Sequence, residues 1–141
     1  MKKFVFLFLF LPLLLCGCNR EKATILLSSR PIDAQNFEAF SMKSLFKPGE
    51  KIYYVLLNPE PFTSGKARLQ ILKLDIKAPY YGIDISQGRD IEIDTSKQYI
   101  LGNFVLHRNG YYALRIFANE IYAYPLAETH FQVDDNDIFY N

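Results

Sequence analysis

From Ala23 to Val133, apolar residues recur with a period of two, which is the spacing of β-strands and not of helices. Turn-forming residues interrupt this alternation roughly every 8–12 residues, which is typical of an all-β sandwich or barrel. The sequence therefore predicts an all-β fold, an antiparallel sandwich of two sheets with about 7–8 strands. The main predicted strands are 23–29, 51–57, 66–77, 90–94, 98–108, 111–118 and 129–133.

Two local patterns refine this prediction. In Lys47–Glu50 the proline presets φ at one corner and the glycine accepts a positive φ at the next, so we expect a tight turn before the strand at 51–57. In 66–77 the apolar positions are odd-numbered up to Ile71 and even-numbered from Leu72. A strand whose alternation changes phase in this way predicts a β-bulge or a strand that changes sheets.

Further turns are predicted nearer the C-terminus. Gln87, Gly88 and Arg89 have the composition of a turn, which would separate a short piece at 83–85 from the strand at 90–94. Asn109–Gly110 is the strongest hairpin signal in the chain, because both residues tolerate a positive φ. We therefore expect 111–118 to pair back onto the strand that precedes it.

The N-terminus has the pattern of a secretory signal. Lys2 and Lys3 form a positive head, and Phe4 to Leu15 is an uncharged apolar run of 12 residues. That run is too short to cross a bilayer, which takes about 20 apolar residues. Both cysteines of the chain, Cys16 and Cys18, follow it directly with one glycine between them. A disulfide between positions so close would be strained, so another role is expected.

The segment Leu15-Cys16-Gly17-Cys18 resembles the lipobox of bacterial lipoproteins, with an apolar residue at −3, a small residue at −1 and then the modified cysteine. The resemblance implies cleavage after Gly17 and lipidation of Cys18. Cys16 is the rival attachment point, and the large Leu15 before it argues against it. Asn19 after the cysteine, where an aspartate would mark retention at the inner membrane, implies sorting to the outer membrane.

The predicted organisation follows from these signals. A signal peptide occupies 1–17, the lipidated cysteine and a short spacer 18–22, the β-sandwich domain 23–134 and a polar tail 135–141. The short spacer should keep the domain close to the membrane. Without the signal the chain carries 14 Lys and Arg against 15 Asp and Glu, and this balance argues against nucleic acid as a partner.

Three stretches, FKPGEKIYYVLL, NGYYALRIFANE and ETHFQV, resemble the bacterial immunoglobulin-like domains found on envelope proteins. The resemblance implies an immunoglobulin-like sandwich, in which Tyr112 would be the hydrogen-bonded tyrosine near a strand corner. It implies a fold and not a function. A transthyretin-like strand order would show the same spacing, so the strand order stays open.

The sequence contains no recognised catalytic or cofactor motif. His107 and His130 have no nucleophile-elbow pattern beside them, and the run Asp134–Asp137 lacks the glycine and the distal glutamate of a calcium loop. Asp90, Glu92 and Asp94 alternate as an exposed strand face does. We therefore predict no enzyme, no catalytic residue, no metal site and no cofactor.

Tyrosines are the remaining candidates for recognition. Tyr53–Tyr54 and Tyr111–Tyr112 are adjacent pairs in predicted strands, so one member of each should point outward. Outward tyrosines either cover the sheet and stabilise cross-strand pairs or form a binding surface. Tyr80 and Tyr81, in a loop after a proline, and Tyr122 are the predicted contact residues.

The sequence thus predicts a lipoprotein of the bacterial cell envelope, held by lipid at the outer membrane and facing the periplasm or the cell surface. Its predicted role is that of a non-catalytic accessory module that binds an envelope protein. The alternatives are a lipoprotein that binds a glycan or another small ligand, and an enzyme of unrecognised type. An enzyme would place His107 or His130 beside a carboxylate in a concave pocket.

Overall fold

The computed structural model describes residues 22–36, 40–74, 83–118 and 124–135, and these residues form strands and loops without a helix. Cys18 and the predicted signal peptide lie outside the described residues. The described strands are β1 (Thr24–Ser28), β2 (Leu45–Phe46), β3 (Lys51–Leu57), β4 (Lys66–Leu74), β5 (Ile83–Glu92), β6 (Tyr99–Val105), β7 (Gly110–Phe117) and β8 (Ala127–Val133).

The strands form two sheets, so the predicted all-β sandwich is confirmed. One sheet has the order β1-β3-β6 and the other has the order β2-β8-β7-β4-β5. Every pair of neighbours is antiparallel except β2 and β8, which run parallel. The sequence did not predict β2, because two residues are too few to show a period. It is held by backbone bonds from Gln132 N to Ser44 O (2.8 Å) and from Asp134 N to Phe46 O (2.9 Å).

The core lies between the two sheets and is built by the inward half of each alternating strand. Its centre is aromatic: the ring of Phe131 stacks on Tyr112 at 5.6 Å and meets Phe46 edge-on at 6.0 Å and Phe104 at 5.7 Å between centroids. Edge-to-face and offset ring pairs of this kind stabilise a core beyond the area that they bury. These four rings come from β2, β6, β7 and β8, so the centre of the core is made by contacts between different strands.

The turn at Lys47–Glu50 has the predicted conformation. Gly49 has a φ of 79°, which a side chain would disfavour, and Glu50 N donates to Lys47 O at 3.0 Å. The Glu50 carboxylate also accepts hydrogen bonds from Lys47 N (2.8 Å) and from Lys43 Nζ (2.7 Å). Burial acts to raise the pKa of Glu50, but the hydrogen bonds from Lys43 and Lys47 outweigh it and lower that pKa.

The phase change in β4 marks a bulge, as predicted. Ile71 and Leu72 are both buried, and the register between β4 and β5 shifts between them. Ile71 pairs with Gln87 and Leu72 with Ile85, so the extra residue, Ser86, lies on β5.

The turn predicted at 87–89 is wrong, because β5 continues through these residues. Gly88 pairs with Gln70 in the sheet, and the side chains of its neighbours Gln87 and Arg89 contact the other sheet. Gln87 Nε2 donates to Val105 O at 2.9 Å, and an Arg89 nitrogen donates to Asn103 O at 2.9 Å. Side chains of β5, the edge strand of one sheet, thereby occupy backbone acceptors of β6, the edge strand of the other.

The hairpin predicted at Asn109–Gly110 is also wrong. The strand before it, β6, pairs with β3, whereas β7 after it pairs with β4 and β8, so the connection crosses between sheets. The Tyr112 hydroxyl donates to the backbone oxygen of Arg108 at 2.7 Å and ties this crossing to the core. The predicted role of Tyr112 as a hydrogen-bonded corner tyrosine is therefore confirmed.

The inner side of the three-stranded sheet contains a close contact between the ring of Tyr54 and the backbone of Gly102. Tyr54 on β3 lies directly opposite Gly102 on β6, and its buried ring lies against the glycine backbone. A Cβ at Gly102 would lie 2.5 Å from Tyr54 Cζ and 2.7 Å from Cε1. The Tyr54 pKa is raised by burial of the phenol, and a hydrogen bond with Arg89 acts in the opposite direction.

Candidate binding surface

None of the residues predicted to carry function lies in the described parts of the chain. Cys18 lies outside them, as do Tyr80 and Tyr81 between β4 and β5, and Tyr122 between β7 and β8. These four residues stay predictions. Tyr124, two residues after Tyr122, is described and is 83% exposed.

The tyrosine pairs within strands follow the predicted alternation. Tyr54 and Tyr112 are buried in the core, whereas Tyr53 is half-buried and Tyr111 is 50% exposed. The exposed ring of Tyr111 points away from the core on the outer face of the five-stranded sheet. This face is the candidate binding surface, because it holds a depression beside Tyr111.

The depression is shallow and mostly apolar. It has a volume of about 380 Å³, and its lining consists of Ser44, Leu74, Tyr111, His130 and the core residues Tyr112 and Phe131. The register explains why these side chains meet: Leu74 pairs with Tyr111, Tyr111 with Gln132, and Gln132 with Leu45 of β2. Leu45 is 48% exposed, so apolar side chains from three strands lie in one accessible row, with the polar Gln132 between Tyr111 and Leu45. We call Ser44, Leu45, Leu74, Tyr111 and His130 the Tyr111 patch.

The same sheet face becomes charged farther along the strands. Arg115 on β7 pairs with Glu128 on β8, and their side chains form an ion pair. His130 Nε2 lies 2.7 Å from the other Glu128 oxygen. Burial acts to raise the pKa of the Glu128 carboxyl, but the hydrogen bonds from Arg115 and His130 outweigh it, so that pKa lies below its ordinary value.

A second ion pair completes the charged half of this face. Arg68 on β4 binds Asp90 on β5 through two hydrogen bonds of 2.8 and 3.2 Å. The hydrogen bond from Arg68 lowers the pKa of the Asp90 carboxyl. The outer face of the five-stranded sheet thus grades from the apolar Tyr111 patch to a row of paired charges, and such a gradient can orient a partner as well as bind it.

The geometry also bears on the alternative of an enzyme. His130 does lie beside a carboxylate and borders the depression, which is part of the arrangement expected of a general base. Its side chain is 65% exposed, and Arg115 shares the same carboxylate. Within the described residues, no group of three His, Cys, Asp or Glu side chains could hold a metal ion.

The sequence predicts contacts at loop tyrosines and does not predict the Tyr111 patch as a unit. Its members come from β2, β4, β7 and β8, so only the register between strands brings them together. Two signals were nevertheless present: the alternation that turns Tyr111 outward, and the phase change that turns Leu72 and Leu74 to the outer face. No helix in the described ranges is long and apolar enough to span a bilayer.

Comparison with known proteins bears on the fold. No family model matches this chain, and a search of the curated proteins found no match. Among solved structures, it is similar to an immunoglobulin-like protein from Pseudomonas aeruginosa, with a TM-score of 0.51 and 11% sequence identity over 82% of this chain and 99% of that one. At this identity the similarity concerns the fold alone. The two-sheet sandwich described above is therefore an immunoglobulin-like fold, as its sequence resemblance implied.

Proposed function

We propose that this chain is a lipid-anchored protein of the bacterial cell envelope whose sandwich binds a protein partner without catalysing a reaction. Cys18 carries the lipid, and the outer membrane is the expected site. The observation that carries the binding role is the Tyr111 patch, where Leu74, Tyr111 and Leu45 lie in one accessible row that only the polar Gln132 interrupts. Exposed apolar rows beside polar ones are typical of protein-binding sites.

The chemistry of the patch favours a protein over a small ligand. Its depression is open and shallow, whereas small-molecule sites are usually clefts that enclose most of the ligand. Tyr111 offers a large rigid ring with a hydroxyl, which suits the centre of a protein interface. The paired charges of Arg115 and Glu128 beside it would form the polar rim of such an interface.

Site-specific photocrosslinking tests the binding role. A benzophenone amino acid placed at Tyr111 in the full chain should crosslink to one discrete partner in intact membranes. The same group at Lys97, an exposed position in the turn between β5 and β6, is the matched control and should give no such product. Leu45→Asp should abolish the crosslink from Tyr111 without changing the yield of folded protein.

A second comparison separates the patch from the loop tyrosines. If Tyr80→Ala combined with Tyr81→Ala abolishes the crosslink and Leu45→Asp does not, the loop is the contact site and the patch is not. Equal labelling from the Tyr111 and Lys97 positions would refute a specific partner. Binding of a polysaccharide by the purified protein, lost in Tyr111→Ala, would favour the glycan alternative.

The anchor has its own test. Mass spectrometry of the protein purified from membranes should find acyl groups on Cys18, and Cys18→Ser should release the protein into the soluble fraction. Unmodified protein that stays in the membrane after Cys18→Ser would refute the anchor.

A further inference from the structure

The outer face of the three-stranded sheet is unusually apolar. In an antiparallel sheet with one face in water, outward residues are normally polar. Here Leu26, Val55 and Leu101 lie directly opposite one another in one outward row, and Leu57 pairs with Tyr99 in the next. We call the outward residues of β1, β3 and β6 the Leu101 face, after Leu101 on the edge strand β6, which is 39% exposed, whereas Val55 on the central strand β3 is fully buried.

Charge distinguishes this face from the one on the opposite side of the sandwich. On β1, β3 and β6, which are described throughout, Lys51 is the one charged residue that points outward, and none of the outward residues is acidic. The outer face of the five-stranded sheet, in contrast, presents Asp90 and Glu128. Because bacterial and other membrane surfaces that carry anionic lipids repel acidic groups, the Leu101 face is the better suited of the two to a lipid surface.

The position of the anchor keeps the three-stranded sheet close to the bilayer, and the charge of the two faces is what distinguishes them, because Lys22 and Ala23 also border Ala127 and Glu128 of β8. This step rests on the lipidation of Cys18 in the proposed function. Five residues separate Cys18 from Thr24, where β1 begins, so the chain can span about 20 Å between them at full extension. β1 is an edge strand of the three-stranded sheet, and the tether therefore holds that sheet within reach of the bilayer.

We propose that the Leu101 face lies against the lipid surface of the membrane and is a second, non-covalent contact beside the acyl chains. Leu26 and Leu101 would enter the boundary between headgroups and acyl chains, and the rings of Tyr53 and Tyr99 would lie at headgroup level, where tyrosine is enriched in membrane proteins. The sandwich then presents its opposite face, with the Tyr111 patch, away from the membrane and towards a partner.

Fluorescent probes in the lipidated full-length protein test this orientation. Processed protein with lipid on Cys18 has no other thiol, so Leu101→Cys can be labelled with nitrobenzoxadiazole alone. Lys66→Cys, exposed on the opposite outer face, is the matched control, and Tyr99→Cys is a second position on the Leu101 face. The proteins are reconstituted in vesicles of phosphatidylethanolamine and phosphatidylglycerol, with nitroxide-labelled acyl chains as quenchers.

The probes at Leu101 and Tyr99 should emit at shorter wavelength and be quenched severalfold more than the probe at Lys66. Leu101→Asp should reduce quenching of the Tyr99 probe to the level of the Lys66 probe, while the protein still floats with the vesicles. Vesicle-bound protein with equal quenching at all three positions would overturn the inference and leave the anchor intact. A probe at Leu101 that is shielded from water but not quenched would mean that a protein covers the face. Protein that does not float with the vesicles would refute the anchor itself.

Discussion

The close approach of Tyr54 to Gly102 makes Gly102→Ala a demanding test of the core. The new methyl group would overlap atoms of a ring that is buried and hydrogen-bonded to Arg89, so neither the ring nor the strand can yield freely. Gly65→Ala is the matched control, because a Cβ there meets nothing closer than Ile93 O at 4.0 Å.

The expected change in the free energy of unfolding on Gly102→Ala combines three effects. Overpacking of a core costs about 1–3 kcal/mol, and alanine in place of a strand glycine returns about 0.5–1 kcal/mol of backbone entropy. Displacement of the Tyr54 hydroxyl from Arg89 adds about 1 kcal/mol. We therefore expect Gly102→Ala to lower the free energy of unfolding by about 2 kcal/mol, or the melting temperature by about 8 °C, and Gly65→Ala to leave both nearly unchanged.

Urea unfolding followed by circular dichroism measures these differences, and a double-mutant cycle tests their cause. In a Tyr54→Leu background the added methyl has room, so Gly102→Ala should cost almost nothing there. The reasoning is refuted if Gly102→Ala is as stable as Gly65→Ala, or if its cost persists in the Tyr54→Leu background.

Three further predictions follow from single contacts. Tyr112→Phe removes the hydroxyl that ties the crossing between sheets and should cost about 1–3 kcal/mol in urea unfolding, whereas Tyr111→Phe, on an exposed ring, should cost almost nothing; equal effects would contradict the corner role. The lowered pKa of Glu50 means that its stabilisation is present above the unfolded value of 4.5 and is lost as the pH falls through the folded pKa. Glu50→Gln should therefore destabilise at pH 7 by up to about 1 kcal/mol and approach the parent protein at acidic pH, and a difference that does not depend on pH would rule out the pair with Lys43 as its cause. Arg89→Ala removes both the donor of a strand-edge carbonyl and the partner of the Tyr54 hydroxyl, so it should cost about 2 kcal/mol and raise light scattering on heating; unchanged unfolding and scattering would refute the role of these contacts.

Local chemistry explains which parts of the fold could be predicted from sequence. Proline and glycine determine the turn at Lys47–Glu50 because their backbone preferences act within four residues. Alternation likewise places Tyr54 and Tyr112 inside and Tyr111 outside, since neighbours on a strand must point to opposite faces. The bulge could be predicted because a change of phase in β4 has to be absorbed in the pairing with a neighbouring strand, and the extra residue lies on β5.

Pairing between distant strands could not be predicted in the same way. Asn109–Gly110 has the composition of a hairpin, yet the strands on either side of it join different sheets. The Tyr112 hydroxyl donates to the backbone at the connection between them. A turn was predicted around Gly88 because nothing nearby in the chain indicates that the side chains of Gln87 and Arg89 bind the backbone of β6. For the same reason the sequence suggested individual tyrosines and not the Tyr111 patch, whose members lie on four strands.

The contacts of Gln87 and Arg89 with β6 have a consequence for behaviour at high concentration. An edge strand with free backbone groups is a template on which another chain can add a strand and start a fibre. At Asn103 and Val105 those acceptors are already taken from within the same molecule. At these two positions the edge of β6 therefore offers another copy no free acceptor on which to continue the ladder.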